Sequence, residues 1–133
     1  MELASLSSFS AEAVVRRFWE LMSSNDFALV GDVLADSLLV EWPQSNERIR
    51  GRDNFIRMNS EYPAHGRWVF TLEQLVANAA QVVTDVSLTD GVQWARAISF
   101  FTVEDGKITR MLEYWPDNYP APANRAHLVE PIT

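Results

Sequence analysis

GKITRMLEYW, residues 106–115, opens on a turn glycine and then alternates like a strand. In a strand, residues two apart point the same way, so Met111, Glu113 and Trp115 share one face. If that face looks into a cavity, the three form a strip of apolar wall with one acid in it. An acid in such a wall has a raised pKa and holds or moves a proton near neutral pH. If the face looks out, Glu113 is a surface charge that pairs with Arg110 or a neighbouring strand. A single β-bulge reverses the assignment.

Working outward, residues 68–76, 81–88 and 92–103 are also rich in β-branched and aromatic side chains. Turn signals separate them at Asn78, Thr89-Asp90-Gly91 and Glu104-Asp105-Gly106. With the last strand they make an antiparallel meander. Upstream, Ser10 is an N-cap and Glu12 complements the helix dipole. Val14, Phe18, Leu21 and Met22 then keep helical spacing, widened by Val15 and Trp19. Ser23-Ser24-Asn25 ends that helix. Asp26 caps a second, shorter one with Phe27, Val30, Val33 and Leu34 on its buried face. Residues 37–42 read as a strand stopped by Pro43, and 44–50 as a loop or short hairpin. A third helix over 53–60 carries Phe55, Met58 and Asn59 to one side, and Pro63 and Gly66 end it.

Helices early and strands late predict the α+β class: a cone-shaped, curved, mostly antiparallel sheet with three helices on its concave face. One domain spans residues 1–133, with a core over about 10–119, a loose leader at 1–9 and an irregular arm at 116–133. A curved sheet covered by helices encloses a hollow, a natural pocket. Trp94, Ile98 and Phe100, with Leu112 and Tyr114, make the outer face apolar too. That predicts a homodimer across it.

The net charge of −7 disfavours nucleic acid and anionic membranes. There is no cysteine, and His65 and His127 stand in no ligand spacing, so no metal site is expected. The N-terminus lacks a basic region followed by an apolar run, which reads as a cytoplasmic protein. Five Trp and seven Phe are enough to fill a core or to line a cavity for an apolar ligand.

Three segments carry a resemblance: RRFWELMSSND at 16–26, LADSLLVEWP with RGRDNF at 34–43 and 50–55, and VEDGKITRMLEYW at 103–115. In this order the chain resembles the nuclear transport factor 2-like superfamily, in its SnoaL-like branch, over residues 10–119. That fold hosts isomerases, hydrolases, cyclases, dehydratases and binding modules. The ketosteroid isomerases of the superfamily use a tyrosine, an aspartate base and a protonated aspartate. The resemblance puts Phe18, Trp42 and Ser99 at those positions, so all three roles are lost. The limonene epoxide hydrolases use an Asp-Arg-Asp arrangement. Its acids fall on Asp85 and Glu113, and its arginine on Val83. The SnoaL-type cyclases need only one acid in a hydrophobic pocket, a demand that Glu113 or Asp85 meets. The resemblance implies no organic cofactor.

The candidate site follows from both readings. Glu113 is the acid–base group, with Asp85 or His65 to assist. Phe18, Trp42, Phe55, Met58, Trp68, Ser99, Met111 and Trp115 line the pocket for a small apolar molecule. Asp85 has the alternative of a cross-strand salt bridge, His65 that of a solvated loop, and Trp42 that of a packing residue. If Ser99 faces in, Arg96 faces out. Proton transfer in a cyclisation, isomerisation or dehydration is the expected chemistry. The alternative is a non-catalytic ligand-binding or dimerisation module.

Overall fold

Ser10 accepts a hydrogen bond from Ala13 N at 3.1 Å and starts helix α1, Ala11–Ser23. The computed structural model describes residues 10–133, so the leader expected at 1–9 lies outside the described residues. The apolar stripe of α1 is buried as its spacing predicts, from Val14 and Val15 through Phe18 and Trp19 to Leu21 and Met22. Asn25 stops the helix at φ 63°, a left-handed conformation that asparagine tolerates. The expected second α-helix is instead a 3-10 helix, Phe27–Val33. Asp26 makes no side-chain cap there, and Gly31 interrupts the segment. A Cβ on Gly31 would meet Ile56 Cδ1 at 3.2 Å, so glycine permits close approach to the next helix.

Strand β1, Leu34–Trp42, begins at once and turns back through β2, Glu47–Arg50, so residues 44–50 form a short hairpin. Helix α2, Arg52–Glu61, follows and buries Phe55. Strands β3 (Val69–Asn78), β4 (Gln81–Thr89), β5 (Trp94–Glu104) and β6 (Lys107–Tyr114) make the antiparallel meander. β6 then pairs β1 in parallel, which completes one curved, unclosed six-stranded sheet in the order β2-β1-β6-β5-β4-β3. The architecture is α+β, with the helices contributed by the N-terminal half. The arm after β6 is exposed and contains one short 3-10 helix, Ala123–Leu128.

The phase of the last hairpin decides what the sheet presents inward. Asp105 and Gly106 both have positive φ, 51° and 75°, and form the two-residue turn that pairs Glu104 with Lys107. Val103 then faces Ile108, and both are buried. A regular ladder would continue with Thr102 opposite Thr109. Instead Thr102 pairs with Arg110, so Thr109 is an extra residue, a β-bulge. Beyond it Met111 and Glu113 turn to the helices and Arg110 turns away. Without the bulge, Arg110 and Leu112 would face the core, and Glu113 would face water.

Candidate functional site

The bulge sets Glu113 opposite Ser99, and Ser99 in turn stands opposite Thr84. All three are buried on the concave face. Trp42, at the end of β1, reaches the same row. Its Nε1–H donates to Glu113 Oε1 at 3.0 Å, and the Ser99 hydroxyl donates to Glu113 Oε2 at 2.5 Å. On the far side, Trp19 Nε1–H donates to Thr84 Oγ1 at 3.2 Å. Each polar atom of the row therefore has a partner, as burial demands.

Above Glu113 lies a cavity of about 320 Å³ between the sheet and the helices. Phe18 and Trp19 of α1, and Phe55, Met58 and Asn59 of α2, form its helical side. Trp42, Glu113 and Trp115 form its inner wall, where the two indoles meet edge to face at 6.0 Å. Tyr62, Trp68, Gln93 and Trp94 border it at the loops and the start of β5. Burial raises the pKa of Glu113 above its ordinary value, against the hydrogen bonds from Ser99 and Trp42, which lower it. A carboxyl held in that balance is suited to take up or release a proton.

The structure brings Phe18, Trp42, Phe55, Met58, Trp68 and Trp115 to the cavity wall with Glu113. Ser99 touches Glu113 from behind and is not itself in the wall. Met111 is not in the wall either. It lies one alternation deeper in the strand, among the core side chains beneath the cavity. Asp85 stands on the opposite face of the sheet, because its β4 neighbours Thr84 and Val86 are the ones that turn inward. There it forms a two-point ion pair with Arg96, at 2.5 and 2.8 Å, the cross-strand alternative for this residue. Arg96 accordingly faces out.

His65 does not line the cavity. Its Nδ1 lies 3.2 Å from Asp90 Oδ2, and its backbone N–H donates to the same oxygen at 2.8 Å. Asp90 is the residue that sequence reading missed, having marked it only as a turn. Its buried carboxylate also accepts from the backbone N–H of Val92 and Gln93 and from Gln93 Nε2, at 2.7–2.9 Å. Burial pushes its pKa up, but the donors of His65, Gln93 and Val92 outweigh it and hold the carboxyl far below the usual range. Asp90 thus ties the loop after α2 to the β4–β5 turn and sets one edge of the cavity. Asn25 does the same at another edge, exchanging two hydrogen bonds with the backbone of Trp68 at 2.7 and 2.8 Å. Trp19, Met22, Phe27 and Phe70 also reach the wall, although their helical and strand spacing reads only as core.

Among the described residues, no helix is long and apolar enough to cross a membrane. The family described as SnoaL-like domain matches residues 15–111. No curated protein matches the chain. Among solved structures, a candidate ketosteroid isomerase from Kribbella flavida is similar at 32% identity and a TM-score of 0.85, over 92% of this chain and 90% of that one. An NTF-2 like protein of unknown function from Burkholderia xenovorans is similar at 24% identity and TM-score 0.76, over 92% and 95%. An LEH-like epoxide hydrolase from M. tuberculosis is similar at 24% identity and TM-score 0.66, over 80% and 82%.

Proposed function

As this chain belongs to the SnoaL-like domain family, we propose that its cavity receives a small apolar molecule on which Glu113 moves a proton. The reaction class is cyclisation, isomerisation or dehydration. The observation that carries this reading is a buried acid at the inner wall of an aromatic cavity, with a raised pKa and two neutral donors. As a base, Glu113 takes a proton from a carbon or hydroxyl group of the substrate. As an acid it returns that proton to another carbon in an isomerisation, to the new alkoxide in a ring closure or to the departing hydroxyl in a dehydration. The Trp42 N–H and Ser99 hydroxyl accept the resulting change of charge without moving, because their geometry is already set. The aromatic wall keeps water from the reacting atoms.

The relatives' routes do not carry over unchanged. Phe18, Trp42 and Ser99 hold the positions that the resemblance assigns to the ketosteroid isomerase tyrosine and acids, and none can serve as a base at neutral pH. Isomerisation here must run through Glu113. The epoxide hydrolase route needs an arginine between two acids. Val83 holds that position, and Asp85 faces away with Arg96. The test is solvent exchange: a panel of cyclic ketones is incubated in D2O, and deuterium uptake beside the carbonyl is followed by NMR. Uptake that depends on the protein and is lost in Glu113→Gln is expected. Equal uptake with the variant would sink the enzyme reading.

One observation favours a second reading, a ligand-binding module. Among the described residues, no second carboxyl and no histidine joins Glu113 in the cavity wall. Binding of a panel member without any exchange, in wild type and variant alike, is the result that reading expects. In either case we place a homodimer across the outer sheet face. Phe100 is 43% exposed there, and it meets Tyr114 edge to face at 6.3 Å with their outer sides uncovered. Sedimentation should give twice the mass of one chain, and Phe100→Lys should give the mass of one.

A further inference from the structure

The cavity wall is one-sided in charge. Among the described residues, no lysine, arginine or histidine contributes to it, and its one carboxyl is Glu113. All five tryptophans of the chain do contribute. The face of an indole carries the negative side of its quadrupole and attracts cations. The wall also holds neutral acceptors that an ammonium N–H can use. Gln93 spends Nε2 on Pro63 O at 3.2 Å and on Asp90 Oδ2 at 2.8 Å, so its carbonyl oxygen is what it has left to offer. Asn59 spends Nδ2 on Phe55 O at 2.9 Å and keeps a free carbonyl oxygen. Two of the indole N–H groups are already taken, by Thr84 and Glu113.

These features discriminate among ligand charges. An anion would be buried beside Glu113 with no counter-charge, which costs far more than apolar contact returns. A neutral hydrocarbon uses the rings but leaves Glu113 with only neutral partners. A cation uses both: the carboxylate as counter-ion, and an exposed ring face of the Trp42–Trp115 pair, whose indoles meet edge to face beside it. We propose that the ligand is a compact apolar amine, bound as its ammonium ion against Glu113, with its carbon skeleton among the tryptophans. This inference rests on the small-molecule reading above and names the ligand class that reading leaves open.

Tryptophan fluorescence at pH 8 tests it with three probes of one shape: phenethyltrimethylammonium, its neutral carbon isostere (3,3-dimethylbutyl)benzene, and 3-phenylpropionate. The cation is expected to bind at least about tenfold more tightly than the isostere, the scale of an ion pair with cation–π contact. The anion is expected not to bind. In Glu113→Gln, the cation's advantage should shrink while the isostere binds as before. A neutral isostere that binds wild type as tightly as the cation overturns the amine assignment and leaves the small-molecule reading standing. If none of the three binds, that reading fails and the assignment fails with it.

Discussion

Glu113→Gln is the substitution for which the structure supplies a sign and proton linkage a limiting slope. Glutamine keeps the shape and both contacts, since its carbonyl accepts from Trp42 and its amide donates to Ser99. What it removes is a titration. The folded protein raises the pKa of Glu113 above the ordinary 4.5, chiefly through burial. Between 4.5 and the raised value, the folded state holds a proton that the unfolded state has released. Stability there must fall as pH rises, at up to about 1.4 kcal/mol per pH unit for one group. Below 4.5 both states are protonated and the contribution is fully present. Above the folded value both are ionised and the loss is complete. The glutamine variant lacks this term. Urea unfolding followed by tryptophan fluorescence, from about pH 4 to about pH 9, gives both stabilities, and their difference cancels the other groups. Wild type should lose ground steadily to the variant as pH rises from 4.5, then run parallel to it. A difference that stays flat from pH 4 to 9 would refute a buried, perturbed Glu113. So would wild type gaining on the variant as pH rises.

Other substitutions separate the parts of the site. Trp42→Phe removes the N–H that holds Glu113 Oε1 and keeps the aromatic wall. It should cost about 0.5–1.5 kcal/mol in urea unfolding, with the Glu113 carboxyl titrating still higher by carbon-13 NMR. Ser99→Ala should act in the same direction through Oε2, with the Glu113 carboxyl again titrating higher than in wild type. Asp85→Asn breaks only the outer-face pair with Arg96, so probe binding and exchange should match wild type. Asp90→Ala strands the N–H groups of His65, Val92 and Gln93, and should lower the melting temperature far more than Asp85→Asn does.

Much of this arrangement was legible in the chain, and the reasons differ by element. The first helix follows from the spacing of Val14, Phe18 and Leu21, and the β5–β6 turn from Asp105-Gly106, because local chemistry dictates both. The inward phase of Glu113 follows from its apolar companions Met111 and Trp115. The cause of that phase, the bulge at Thr109, leaves no local mark, because it is set by pairing with Thr102. The hydrogen bond from Trp42 to Glu113 joins residues 71 apart in sequence, so neither spacing nor propensity announces it. Asp85 is likewise a carboxylic acid in a strand of the same antiparallel meander as Glu113. Only the register of β4 sends it outward to Arg96. The 3-10 conformation of Phe27–Val33 escaped because its buried positions, Val30 and Val33, satisfy helical and 3-10 spacing alike. Asp90 escaped because a Thr-Asp-Gly turn is common, and only the fold brings His65 to it.

The most direct measurement is a crystal structure of the protein grown with the tightest binder found among the three probes and the ketone panel. The account predicts that ligand in the cavity, its polar or charged group at Glu113 and its carbon skeleton against the indoles of Trp42 and Trp115. A ligand bound elsewhere, or a cavity closed over by those two indoles, would contradict it.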